Sequence, residues 1–301
     1  MYNIFTFFQF QKLFSTSQQC WQYLFKVRWP NGFICPECQS NEYSFIKTRQ
    51  LMQCKHCRYQ CSITAGTIFH KTRTPLYKLF WLVYFIAHDK NGHSALDLTR
   101  KLAISYKVAW SMSHKVRAAM LERNASYMLA GLVELDDAYF GAKRAPGARG
   151  RGADKKKSVL VAAQTTNGNK PQYASMEVLD NLKQETIEQA VEKNIQKGST
   201  IKTDGFASFN TLQDIDYNHI KQIIADPKNA SKLLPWVHIF ISNAKSIIRG
   251  TYKGVSSQYL QYYLSEFCYK LNRRFNVDQI FDRLLCACTQ KDPITLAELK
   301  V

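Results

Sequence analysis

No stretch of this 301-residue chain approaches the roughly 20 uninterrupted apolar residues of a membrane span, and the apolar run at 79–87 is too short. The opening residues are aromatic and apolar but lack the charged start and small-residue cleavage site of a secretory signal. Acids are scarce. Twenty-three Asp and Glu stand against 41 Lys and Arg, giving a formal charge of +18 and a pI near 9.5, an excess that points to a polyanionic partner. A disulfide framework is also missing: the nine cysteines are an odd count, and four of them form two Cys-x2-Cys pairs, which suits metal in a reducing compartment. The expectation is a cytoplasmic protein with no membrane partner. Hydrophobic residues make up 46% of the chain, enough for two or three modest domains, which excludes disorder throughout.

Residues 1–32 carry Phe7, Phe10, Phe14, Cys20, Tyr23, Leu24 and Trp29 at roughly helical spacing, broken at Ser15-Thr16-Ser17, which predicts a short helical pair. Cys35-Pro-Glu-Cys38 and Cys54-Lys-His-Cys57 then offer four thiolates to one tetrahedral ion, the pattern of a zinc ribbon over 33–63. Four thiolates leave no open position for water, so this zinc is structural, with Cys61 and His56 close by but surplus. A helical region follows over 64–128. Its helices fall at 76–87, 94–102 and 105–120, the last two meeting at a tight turn, Ala103-Ile104, in the manner of a helix-turn-helix. On the third, Lys107, His114, Lys115 and Arg117 could face a phosphate backbone while Val108, Trp110 and Val116 pack inward. A helical linker with a solvated basic face fits the same pattern.

Beyond Gly131 the period changes from helical to alternating. Strands are expected at 132–140, 158–165 and 172–179, a helix at 181–196, and strands at 199–203 and near 218–224. The first strand holds Asp136 and Asp137 in an otherwise apolar run, and an ionised carboxylate tolerates burial only when paired or metal-bound. Asp204 stands at the exit of the fourth strand. This order matches an α/β ribonuclease-H-like domain over 129–275, in which the strands bearing the two acids are neighbours. Two strand-borne carboxylates in a basic chain suggest a hard divalent cation and a phosphate substrate. Between the first two strands the glycine-rich segment 143–157, with Lys143, Arg144, Arg149 and Arg151, reads as a basic hairpin suited to nucleic acid or as a solvated charge run. Two helices over 236–275 end in Asn272-Arg273-Arg274, and the tail, 276–301, shows no pattern.

Five stretches carry a more specific likeness: Arg28-Trp-Pro-Asn-Gly-Phe-Ile-Cys-Pro-Glu-Cys38, Gly66-Thr-Ile-Phe69, Val133-Glu-Leu-Asp-Asp-Ala-Tyr-Phe-Gly141, Thr203-Asp-Gly205 and Tyr263-Leu-Ser-Glu-Phe-Cys-Tyr-Lys-Leu-Asn-Arg-Arg274. Together they resemble bacterial insertion-sequence DDE transposases of the zinc-ribbon-bearing kind, over nearly the whole chain. The resemblance implies Asp136 as the first metal ligand and Asp204 as the second. Five residues after His238 that family usually has a glutamate, whereas here, as in some members, Asn243 stands there with a Lys close behind. An amide brings no charge, so the ion would be held more weakly than by three carboxylates. Lys245 would compensate at the scissile phosphate, and Glu266 is an alternative third ligand. The implied cofactors are structural Zn²⁺ and catalytic Mg²⁺ or Mn²⁺. The implied activity is cleavage and strand transfer at element ends, with DNA held partly by Arg273 and Arg274 and the chain working as a homo-oligomer in a synaptic complex. Two other readings stay open, a decayed transposase that only binds DNA and a ribonuclease-H-like nuclease or resolvase.

Overall fold

The computed structural model describes residues 6–141, 156–166, 170–222 and 233–300. The chain forms two compact units, one of Met1–Ala119 with Asn276–Val301 and one of Met120–Phe275. The first unit opens with α1 (Phe7–Leu13) and α2 (Ser17–Arg28). Each starts at a threonine whose hydroxyl accepts the N3 amide while the N3 glutamine reaches back, Thr6 with Gln9 and Thr16 with Gln19. That second capping box is why the helical pattern breaks at Ser15-Thr16-Ser17. A small antiparallel sheet follows, β1 (Tyr43–Ile46), β2 (Leu51–Cys54) and β3 (Gln60–Ser62), then α3 (Leu76–His88), α4 (Ala95–Leu102) and α5 (Tyr106–Ala125). The turn between α4 and α5 passes through Ala103 in the left-handed region, φ 48°, the tight reversal expected of a helix-turn-helix.

In the second unit five strands, β4 (Leu132–Phe140), β5 (Lys157–Thr165), β6 (Pro171–Leu179), β7 (Thr200–Thr203) and β8 (Asn218–Lys221), pair in the order β6-β5-β4-β7-β8. The first three are antiparallel, and β7 and β8 run parallel to β4. Helix α6 (Gln184–Asn194) covers one face with Val133, Leu135, Leu160, Ala162 and Ile201. Helices α7 (Pro235–Gly250) and α8 (Leu260–Leu271) cover the other with Ala138, Phe140, Val159, Val161 and Ala163. This is the α/β ribonuclease-H-like arrangement. Strand alternation places Glu134, Asp136, Ala138 and Phe140 on the α7 face and sends Asp137 to the opposite one.

The tail does have structure. Residues after Asn276 form α9 (Ile280–Gln290), whose Phe281, Leu284 and Leu285 are fully buried in the first unit. Phe281 meets Phe10, Phe14 and Phe80 at ring distances of 5.0, 5.7 and 5.7 Å, and the buried Asp282 accepts a hydrogen bond from Tyr23. The patternless tail of the sequence is thus an amphipathic helix. Among the described residues no helix is long and apolar enough to cross a membrane.

Candidate active site

The ribbon is the simplest centre in the molecule. The thiol sulfurs of Cys35, Cys38, Cys54 and Cys57 all lie within 4.8 Å of one another, with Cys35–Cys57 at 3.6 Å and Cys38–Cys54 at 3.5 Å. Zn–S bonds of about 2.3 Å in a tetrahedron put sulfurs roughly 3.8 Å apart, so this donor set fits a closed structural zinc. Cys61 is buried on β3 and lies outside the set.

The second centre grows out of β4. Its parallel register with β7 runs as far as Glu134 and Lys202, and Asp204 follows just past the end of β7, near enough for its charge to act on Asp136. Burial, then the charges of Asp204 and Asp137, push the Asp136 carboxyl up to about 7, while the Asp137 amide and Lys245 act the other way. Carboxylates that crowd one another out of water call for a cation. The Asp204 carboxylate accepts the Phe206 amide at 3.0 Å, which fixes it at the strand exit.

Helix α7 supplies the facing wall. Asp136, Asp137, Ala138, Tyr139, Gly141 and Lys156 line a cleft of about 380 Å³ with His238, Ile241, Lys245 and Arg249. His238 and Lys245 are seven residues apart, two helical turns, and so share a face. The His238 Nδ1 stands 3.8 Å from the Asp136 carboxylate. The Lys245 amine lies 5.3 Å from the centre of the Phe140 ring, and burial, then Arg249 and Lys156, lower its pKa. The sheet side of the cleft therefore carries the acids and Lys156, and the helix side carries His238, Lys245 and Arg249. Buried Glu134 accepts from the Trp236 and Val237 amides at 2.9 and 3.0 Å, and its carboxyl is raised by burial against those bonds.

Several expected residues stand elsewhere. Asn243 is exposed, about 140° around the helix from His238, and like Asp204 it is not among the residues that line the cleft. Glu266 is buried, bound by Lys270 at 2.7 Å and by the Tyr252 hydroxyl, so it is no substitute ligand. Lys107 is exposed near the start of α5, but Lys115 and Arg117 are buried, with Lys115 donating to the Ile68 carbonyl at 3.3 Å. The expectation that these two reach a phosphate backbone is corrected by the burial of the middle of α5. Arg273 is buried 3.6 Å over the Tyr269 ring, and Arg274 donates to the carbonyls of Pro171, Gln172 and Leu271, so both are structural rather than nucleic-acid contacts. Lys143, Arg144, Arg149 and Arg151 lie outside the described residues. Sequence reasoning placed Lys156 only within the basic segment 143–157 and left out Arg249. The spacing 238, 245, 249 along one helix stripe was the signal that could have found Arg249.

A four-cysteine ribbon ahead of a ribonuclease-H-like sheet, with Asp136 on one strand and Asp204 just past its neighbour, defines the class of protein. Residues 128–272 match the sequence model of the ISXO2-like transposase domain, and residues 15–60 match that of the transposase zinc-ribbon domain. The chain thus carries a transposase zinc-ribbon domain followed by an ISXO2-like transposase domain. Comparison with curated proteins gave no match. Among solved structures it is similar to the catalytic core domain of BIV integrase, 13% identical, covering 48% of this chain and 85% of that one with a TM-score of 0.32. It is also similar to the Mos1 chain of a pre-cleavage transpososome, 12% identical over 74% and 82% of the two chains, TM-score 0.31. The Mos1 strand transfer complex gives 13% identity, 72% and 76% coverage and 0.31. These superpositions are loose, and the fold is established by strand order instead.

Proposed function

We propose that the protein is an active transposase that cuts DNA at the ends of its element and joins the freed 3′ hydroxyl to target DNA by in-line displacement at phosphorus. The observation that carries this reading is the buried Asp136 carboxyl on β4, pushed up by burial and by the charge of Asp204 just past the neighbouring β7, opposite a helix that presents His238 and Lys245. Asp136, Asp204 and His238 would hold Mg²⁺ or Mn²⁺, the imidazole standing where Asn243 was expected. When bound, such an ion activates the attacking oxygen and stabilises the leaving one. Lys156, Lys245 and Arg249 draw the phosphodiester to the cleft and orient it, each as a cation that an anion relieves of its like-charged neighbours.

DNA is the substrate that suits the +18 charge, with element ends held by the zinc ribbon and by the exposed start of α5, where Lys107 stands. The chain works in the cytoplasm on DNA, as a homo-oligomer that brings two ends together. Asp204→Asn should abolish cleavage of a labelled element end while leaving its gel shift intact, and unchanged cleavage would remove Asp204 from the site. The uncharged Asn243, at the position where a glutamate is usual, favours one second reading, a decayed enzyme that only binds DNA. In that case calorimetry would find no Mn²⁺ binding that depends on Asp136.

A further inference from the structure

We propose that Glu134 is a positioning residue: it fastens the start of α7 to β4 and thereby sets where His238 and Lys245 stand over the two aspartates. The role in catalysis rests on the reading of the cleft given above. A helix leaves its first N–H groups without partners inside the helix. Among the described residues helix α7 has no local cap, since Leu234 makes no side-chain cap bond and Pro235 at the first helical position has no N–H. The next two amides, Trp236 and Val237, both donate to one oxygen of Glu134, which is only 3% exposed.

A serine or aspartate at the cap position would have satisfied such amides locally. It would have left the helix free to slide along the sheet. An acceptor on β4 ties the two together, and Glu134 lies two residues from Asp136 on the same face, about 6.7 Å along the strand. The pinned amides directly precede His238, and Lys245 follows two turns later. The pair Glu134 and Asp136 therefore acts as a ruler: one carboxylate holds the helix end and the other meets the first side chain beyond it. Two hydrogen bonds and the positive end of the helix dipole offset the burial of the carboxylate.

The test compares Glu134→Gln, Glu134→Asp and Glu134→Ala in the full-length zinc-loaded chain. Glutamine keeps an oxygen acceptor at the same reach, aspartate keeps the charge on a shorter arm, and alanine removes both. Hydrogen exchange of the Trp236 and Val237 amides should quicken roughly tenfold or more in Glu134→Ala and stay near wild type in Glu134→Gln. Cleavage of a labelled element end should fall about a hundredfold in the alanine and aspartate variants with the gel shift unchanged, and be restored by glutamine. In a His238→Ala background the alanine change should add little further loss. Wild-type exchange in Glu134→Ala, failure of glutamine to restore cleavage, or a full additional loss in the His238→Ala background would each overturn the proposal. If Glu134→Ala does not fold, Glu134→Asp decides it by the same readouts. Absence of cleavage by the wild-type chain would instead count against the transposase reading, and the exchange rates together with Mn²⁺ affinity of the same variants would still decide the clamp.

Discussion

Asp136 carries a proton where an exposed aspartate would not. Its folded carboxyl titrates at about 7 against an ordinary 3.8, because burial and the neighbouring Asp204 and Asp137 disfavour its charge. Between those two values the native state binds more protons than the unfolded one, so without a cation its contribution to stability is present at low pH and lost as pH rises through 7. The ceiling on that loss is about 4 kcal/mol for a shift of this size. Metal-free Asp136→Asn should therefore melt above wild type at about pH 8 and level with it at about pH 4, as followed by calorimetry. Saturating Mn²⁺ should reverse the order, since an ion that binds only the native wild type stabilises it. Melting curves that coincide at every pH would refute the crowding of the acids. At the same scale, Asn243→Ala should leave end cleavage within a few-fold of wild type, whereas His238→Ala should lower it roughly a hundredfold, on the usual scale for a misassembled catalytic site. The reverse ranking would restore the amide as the third ligand.

At the level of elements, the strands were legible because half-buried strands alternate, and β4 falls where the pattern placed it, Leu132–Phe140. The adjacency of β4 and β7 was legible as well, because it follows from a ribonuclease-H-like strand order. The helix stripe was harder to read. Asn243 and Lys245 are close in sequence yet about 160° apart around α7, while His238 and Lys245 nearly coincide, a distinction that rests on angle and not on proximity. The Asn272-Arg273-Arg274 run shows the same difficulty. Its charges suggested nucleic acid, but Asn272 accepts the Ala174 amide at 2.7 Å and donates to the Ala174 carbonyl at 2.9 Å, and Gln261 makes the same pair of bonds to Val178 and Met176. These amides cover the free edge of β6, an edge that would otherwise invite pairing with another chain. Asn272→Ala should cost about 2 kcal/mol in urea unfolding by leaving both groups of Ala174 without partners, with end binding unchanged. An unaltered unfolding midpoint would show that this edge needs no cover.

At the scale of the molecule, the chain returns to its beginning. Residues after Asn276 belong to the unit formed by Met1–Ala119, and nothing in local periodicity announces so distant a partner. Phe281→Ala, at a fully buried aromatic cluster, should cost roughly 3 to 5 kcal/mol and lower the melting point of the whole first unit. A loss below about 1 kcal/mol would mean that α9 only rests on that unit. The zinc ribbon lies in the same unit, with its four sulfurs already gathered. The net charge of +18 belongs to this scale too, and on the proposed function end binding should weaken steeply with salt.

The proposed divalent site of Asp136, Asp204 and His238 is tested most directly by pulsed electron paramagnetic resonance on the Mn²⁺-loaded full chain. One bound Mn²⁺ should show a directly coordinated imidazole nitrogen that disappears in His238→Ala and persists in Asn243→Ala, and binding itself should fail in Asp136→Asn. Mn²⁺ held equally well without Asp136, or with no imidazole signal in the wild type, would contradict it.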